Sequence, residues 1–417
     1  MFVEITYGQG KEQIRVDESC KVLLPNKVEI DNENLTIETA LKNPISSISF
    51  KEFVKKSDKL LLIVNDATRP TPTAKIIDIL HPLLSNITDF RIIVATGSHK
   101  PPSPEEYKFI FGKYYDLYKD KIEVHDAKKS SMKFYGKTPH GTEVAFNDVI
   151  NKYRNIVTIN SVEPHYFAGY TGGRKSFLPG LAAYKTIEEN HKFAMDNQAC
   201  ALGLNSNPVN EDMMDSIRFL SEINVFSIQV VLTPDGEIYK IITGDLNKSF
   251  LNAVEFANEV FCASLKKKGN IVVTVAPPPM DINLYQSQKA LENGKLALEE
   301  NGIIILVSKC PGGLGQQAFI DLLCKADSPE EVLEFLKDEY KLGYHKAGKI
   351  AELATWADIW AVTDLDSTVL KKAFINSCNG IQEAVDKAIK IIKNRGKKPN
   401  LIIIPYGSLT VPFCQKR

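Results

Sequence analysis

The chain has 417 residues, 44% of them apolar and 24% charged, the make-up of a soluble globular protein with material for two to three domains. Basic and acidic residues both number 51, so the formal net charge is zero and a generalised nucleic-acid binder is not expected. The longest apolar runs, such as residues 303–307, are far short of a membrane span, and Met1-Phe2-Val3-Glu4 opens no secretion signal.

Residues 2–7 alternate, Gly8-Gln9-Gly10 turns, and residues 13–16 return, which predicts a hairpin. After Pro44 the rhythm changes. Residues 59–65 form a continuous apolar run, the mark of a strand buried on both faces. Residues 72–84 carry Ile76, Ile77, Ile79, Leu80, Leu83 and Leu84 at helical spacing. Residues 91–96 predict another buried strand and 104–111 another helix. Further buried strands are predicted at 156–160, 226–232, 271–275, 303–307, 359–363 and 401–404, with helices between most of them. This alternation is the sequence form of an α/β protein: two domains with largely parallel sheets flanked by helices. A helical pattern over 251–265 ends at Lys266-Lys-Lys-Gly-Asn270, where a new strand–helix series starts. The expected division is therefore 1–268 and 269–400, with 401–417 able to complete either sheet. The seven cysteines are scattered, odd in number and without a C-x-x-C pair, which argues against a disulfide framework and a cysteine-type zinc site. A cytosolic enzyme is expected.

Ligands of open α/β sheets bind beyond the carboxyl ends of strands. Residues 59–65 are followed by Asp66-Ala-Thr-Arg-Pro70, and 91–96 by Gly97-Ser-His-Lys-Pro101. Residues 156–160 lead to Glu163-Pro-His165, and 271–275 to Pro277-Pro-Pro-Met-Asp281 and a helix bearing Tyr285, Gln286 and Lys289. Singly these have plain readings: His99 fills a turn, Arg69 solvates one, and Tyr285 and Lys289 share an ordinary helix face. Together, an arginine and a lysine with two acid/base groups suit a carboxylate substrate that loses or gains a proton. His81 and His125 lack such a setting and receive no role. Gly169-Tyr-Thr-Gly-Gly-Arg-Lys-Ser176 suggests a phosphate loop, but Arg174 stands where that motif needs glycine. What remains is a glycine-rich loop offering backbone N–H groups to an anion. In the next helix Tyr184, Ile187, His191 and Ala194 share one apolar stripe, so His191 points inward. There it is either a functional group or a buried histidine bonded to a carbonyl. No H-E-x-x-H zinc spacing occurs. A phosphotransferase and an organic-acid binding protein are the competing classes; the first lacks its loop glycine, and the second has no use for two strand-end histidines.

These segments, with Tyr166 to Gly180, Ala183 to His191 and Tyr285-Gln-Ser-Gln-Lys289, resemble the nickel-dependent lactate racemase family over nearly the whole chain. The His165–Lys175–His191 spacing is the most specific part. The resemblance implies a nickel-pincer nucleotide, nickel held by a pyridinium-3-thioamide-5-thiocarboxylic acid mononucleotide. By position it implies Lys175 as the covalent tether, His191 as the nickel ligand and Asp66 near the cofactor. It implies His99 and His165 as acid/base catalysts, and Arg69, Tyr285, Gln286 and Lys289 as substrate-binding residues. It further implies an active site in an interdomain cleft, cofactor-synthesis proteins as activation partners, and interconversion of D- and L-lactate by hydride transfer through a 2-keto acid. Lactate-specific members are expected to carry a tryptophan against the methyl group; here His345 occupies that register, with Lys346 beside it. Malate, 2-hydroxyglutarate, an aromatic 2-hydroxy acid or a sugar acid therefore stand beside lactate.

Overall fold

The computed structural model describes residues 1–414. The chain divides into two compact units, Lys27–Val260 and a second made of Met1–Asn26 with the chain from Phe261 onward.

The Lys27–Val260 unit is built on a six-stranded sheet in the order Ile238–Gly244, Asn224–Leu232, Asn155–Ser161, Lys59–Asn65, Asp89–Ala95, Ile122–Val124. All neighbours run parallel except Ile238–Gly244, which is antiparallel to Asn224–Leu232. Leu60 to Val64 have no exposed surface, as their unbroken apolar run requires in a strand covered on both faces. Ile76, Ile77 and Leu80 of the helix Thr73–Leu84 pack on one face with Leu60, Leu62 and Val64. Phe50 closes edge-on against Phe226, ring centroids 5.3 Å apart. From Lys59–Asn65 the chain winds outward through Asp89–Ala95; from the adjacent Asn155–Ser161 it winds the other way. The carboxyl ends of these two central strands thus flank a topological switch point, where an open α/β sheet leaves a crevice.

The other unit has a wholly parallel six-stranded sheet: Asn376–Cys378, Asp358–Val362, Leu298–Val307, Gly269–Val275, Leu401–Ile404, Lys21–Val22. Its switch point lies between Gly269–Val275 and Leu401–Ile404. This corrects the expected boundaries. Residues 1–26 and 261–268, given above to the first domain, group with the second, and Leu401–Ile404 completes the second sheet. The Phe2–Tyr7/Gly10–Arg15 hairpin forms as predicted, but its Val3, Ile5 and Ile14 join the core of this C-terminal sheet. The predicted 251–265 helix runs instead over Leu246–Phe261. Cys262–Leu265 is a strand parallel to Val411–Cys414, with Ala263 and Leu265 buried and Ser264 exposed, a period of two rather than 3.6. Among the described residues, no helix is long and apolar enough to cross a membrane.

Candidate active site

Residues singled out in the sequence follow both central strands of the Lys27–Val260 switch point. Asn65 and Ser161 end the two central strands, and the Thr71 hydroxyl ties them, 2.9 Å from Asn65 Oδ1 and 3.1 Å from Ser161 Oγ. Asp66 begins the turn after Lys59–Asn65. Its Oδ1 receives the Thr68 N–H at 3.1 Å and the Thr68 hydroxyl at 2.5 Å, and its Oδ2 receives His99 Nδ1–H at 2.7 Å. Burial alone would raise the Asp66 pKa, but the hydrogen bonds and charge of His99, the Thr68 bond and the Arg69 charge outweigh it, leaving the pKa below the ordinary carboxylate value. Asp66 is therefore ionised. The resemblance put Asp66 near a cofactor; here its partner is His99. Arg69 pairs with Glu163 across the switch point, Nη1 to Oε1 3.2 Å, leaving other guanidinium donors for a ligand.

His99 sits on a turn that only glycine allows at its head. Gly97 has φ +55°, and a Cβ there would lie 3.3 Å from Pro179 O. Gly97 N–H donates to Gly180 O at 3.0 Å, and Gly180 N–H to Lys175 O at 3.0 Å, so the His99 turn rests on the turn that follows Lys175. Lys175 lies in the short 3-10 turn Gly173–Ser176. His165 stands on a two-residue hairpin strand opposite Gly169, whose φ of +75° and approach to Gly203 O, 2.1 Å from a notional Cβ, leave no room for a side chain.

Phe167, quoted in the motif above but given no role there, is the hub. The His165 ring meets it edge-on at 4.6 Å, the His191 ring lies 5.1 Å away, and Lys175 Nζ is 5.7 Å from its centroid. A sequence gives no sign that one phenylalanine serves three separate elements. His191 is on the helix Tyr184–Lys192, as predicted, although Ala194 of the proposed stripe falls in the following 3-10 turn. The His191 ring is half-buried but its Nδ1 is sealed from solvent. Desolvation, then the charges of Lys175 and His99, push its pKa far down, so the imidazole is neutral. A neutral imidazole is the form that binds metal. Among the described residues, no group of three or more His, Cys, Asp or Glu is placed to hold a metal ion. A metal beside His191 would have to bring most of its ligands with it. An amine and a neutral imidazole around one aromatic ring fit such a group.

In the other unit, Asn283 caps the helix Leu284–Gly294, its side chain accepting the Gln286 N–H at 2.9 Å, so Tyr285, Gln286 and Lys289 fall in the first turns beyond the switch-point strand Gly269–Val275. Tyr285 is buried; Gln286 and Lys289 are half-buried. His345 and Lys346 start the helix Tyr344–Ala354 and are both buried. His345 Nδ1 shares a hydrogen bond with the Tyr340 hydroxyl at 2.8 Å. Lys346 Nζ donates to Tyr285 O at 2.5 Å and lies 4.2 Å above the Tyr285 ring.

Two family profiles cover most of this chain: the lactate racemase N-terminal domain matches residues 7–203 and the lactate racemase C-terminal domain residues 265–411. The chain belongs to the lactate racemase family. A lactate racemase of Thermoanaerobacterium thermosaccharolyticum is 28% identical over 97% of both chains, and one of Lactiplantibacillus plantarum 29% identical over 90% of both. The solved structure of the T. thermosaccharolyticum lactate racemase apoprotein matches with a TM-score of 0.90 and 26% identity, over 99% of this chain and 100% of that one. A crystal structure of a Thermotoga maritima protein matches at a TM-score of 0.69 and 16% identity, covering 93% and 100% of the two chains, a likeness of fold alone. The family's two-domain α/β architecture is therefore the one expected from the strand–helix alternation of the sequence.

Proposed function

We propose that the protein is an isomerase, a racemase that interconverts the enantiomers of a short 2-hydroxy acid, with D- and L-lactate the leading pair. The observation that carries this reading is the gathering of His99, Arg69, His165, Lys175 and His191 at one switch point, in a chain matched by both lactate racemase domains.

The residue set fits a nickel-pincer nucleotide, with Lys175 as its covalent anchor and His191 as the protein ligand to nickel. When bound, that group supplies an acceptor and donor of hydride for C2 of the substrate, chemistry that no side chain offers. The protein supplies the rest. Arg69, oriented by Glu163, and Lys289 hold the carboxylate end of the acid, with Tyr285 and Gln286 beside it. His99 and His165 manage the hydroxyl proton that must leave as C2 becomes a ketone and return when C2 is reduced on its other face.

The test uses full-length protein produced with the cofactor-synthesis proteins. Peptide mapping should find a covalent adduct on Lys175, and the protein should racemise lactate with deuterium at C2 slowing turnover and staying in the product. A panel of malate, 2-hydroxyglutarate, aromatic and sugar acids ranks the alternatives. Adduct-bearing protein that racemises none of them would sink the proposal; rapid loss of the deuterium to solvent would replace hydride transfer with a carbanion route.

A further inference from the structure

A buried cation lies beneath the turn that carries His165 and Phe167. Ala168 closes the two-residue hairpin between His165 and Gly169. Its N–H faces His165 Nδ1 at 3.4 Å. Its carbonyl accepts Arg174 Nη2–H at 2.7 Å, and Arg174 Nη1–H reaches Gly172 O at 3.4 Å. Gly172 O also accepts the Lys175 backbone N–H at 3.1 Å. One guanidinium thus spans a carbonyl of the His165 turn and the carbonyl on which the Lys175 backbone rests. The adjoining carbonyls are held from elsewhere. Asn207 Nδ2 donates to Phe167 O at 2.9 Å, and Leu202 N–H to Gly169 O at 3.2 Å, both from the segment beyond the His191 helix. Arg174 supplies the tie to the Lys175 turn.

Arg174 is 1% exposed, and its guanidinium lies 4.4 Å above the Phe250 ring. The same ring packs under Gly173, where a Cβ would lie 2.8 Å from Phe250 Cγ. Burial lowers the Arg174 pKa to about 9, still well above neutral, so the group stays charged. It makes no ion pair among the described residues, and its Nε has no hydrogen-bond partner there. Two carbonyls and a ring compensate a desolvated charge poorly. A glycine, the residue of a phosphate loop at this place, would carry none of that penalty. A lysine has no planar fork to span both carbonyls. What the arginine adds is therefore a fixed distance between two turns.

We propose that Arg174 is a positioning residue, whose guanidinium sets the place of the His165 imidazole and the Phe167 ring relative to Lys175 without itself touching substrate. His99 stands outside this tie. Its turn reaches the Lys175 turn by another route, Gly97 N–H to Gly180 O and Gly180 N–H to Lys175 O, and its Nδ1 is held by Asp66. Loss of the guanidinium fork therefore displaces His165 and spares His99. The kinetic consequence rests on the racemase reading given above; the hold on His165 does not.

Full-length protein made without the cofactor-synthesis proteins is treated with diethyl pyrocarbonate, and peptide mapping reads the rate of modification at each histidine. In Arg174→Lys, His165 should react about tenfold faster than in wild type, because losing a charge-assisted bond eases local opening, while His99 stays within about twofold. No acceleration, or equal acceleration of both histidines, would overturn the inference. If Arg174→Lys does not fold, Phe250→Leu keeps the fork and removes the ring beneath it; it should give a rise of about threefold confined to His165, and no such rise counts equally against the inference. In loaded enzyme, with kcat taken per Lys175 adduct, Arg174→Lys should lower kcat about 10²-fold, the penalty of about one ångström of misplacement, and leave KM within about threefold because Arg69 and Lys289 are untouched. On a His165→Gln background the same substitution should cost less than about threefold, and on a His99→Gln background its full amount. Equal cost on both backgrounds would return Arg174 to a purely structural role. Protein that racemises no 2-hydroxy acid while His165 alone still gains reactivity would end the racemase reading and leave the positioning role standing.

Discussion

His125 has no accessible surface and donates from Nε2 to Ala182 O at 3.0 Å, while Asn147 Nδ2 donates to its Nδ1 at 3.1 Å. Desolvation lowers its pKa to about 4, against which the Ala182 bond and Asp126 pull only partly. This histidine has no chemical role in the sequence reading; its hydrogen bond to Ala182 O pins the turn beyond Lys175. The folded state thus resists a proton that the unfolded chain accepts near pH 6.5, so stability is full above that pH and falls as pH drops toward 4. By pH 5 the loss should be roughly 2 kcal/mol. Urea midpoints at pH 7 and pH 5 for wild type and His125→Gln check this; the variant should lose less between the two. Arg69 makes a second case at this scale. Its fork serves both Glu163 and, as proposed, a carboxylate, which a point charge cannot. Arg69→Lys should raise KM about tenfold, the loss of roughly 1.4 kcal/mol of charge-assisted bonding, and steady-state kinetics on loaded enzyme measure it.

The turn from Ala168 to Ser176 is the element on which the site depends, and the sheet adds to its own hydrogen bonds in fixing it. Gly173 N–H donates to Gln229 Oε1 at 3.1 Å, and the Ser176 hydroxyl to Asn160 Oδ1 at 2.8 Å, so two sheet strands hold it from below. Gly172 has φ +84°, and a Cβ there would lie 2.6 Å from Val162 Cγ2 and 2.9 Å from Gln229 Oε1. Gly172→Ala should therefore cost about 2–4 kcal/mol, combining backbone strain with overpacking. Denaturation curves give the stability change, and mass spectrometry should find less adduct on Lys175 in the folded fraction. Intact stability with full adduct would show that the turn relaxes freely. The His191 helix is secured differently. Asn190 Nδ2 donates to the fully buried Asp212 at 2.8 Å, which also accepts the hydroxyls of Thr138 at 2.5 Å and Thr142 at 2.9 Å. Among the described residues neutral donors alone satisfy that carboxylate, and they tie the helix to the hairpin Met132–Lys137/Glu143–Asn147.

At the scale of the molecule, one unit is continuous in sequence and the other is not. Lys27–Val260 contains its whole sheet and core, so a 27–260 fragment should unfold cooperatively with native far-ultraviolet dichroism. The fragment from 261 onward lacks the edge strand Lys21–Val22 and the core side chains Ile5 and Ile14. It should be far less stable than the same fragment joined to residues 1–26, since burying each such side chain contributes about 1.5–3 kcal/mol. Urea titration of the two forms decides the matter, and equal stability would mean that the hairpin is peripheral.

Sequence periodicity by itself identified the α/β class, the core strands and the residues at their carboxyl ends, because a strand covered on both faces must be apolar throughout and a chain turning at its end exposes whatever follows. Asp66, His99, His165 and Lys289 were legible for that reason, and the glycines around Lys175 because positive φ and close approach exclude other residues. Tertiary structure alone decided which strand ends adjoin. Asp66 meets His99 across 33 positions, Arg69 meets Glu163 across 94, and Phe167 gathers three elements. It also placed residues 1–26 in the C-terminal unit and set Arg174 beneath Ala168. Local pattern reports how deeply a residue is buried, whereas its neighbours follow from strand order, which is fixed only when distant segments pack together.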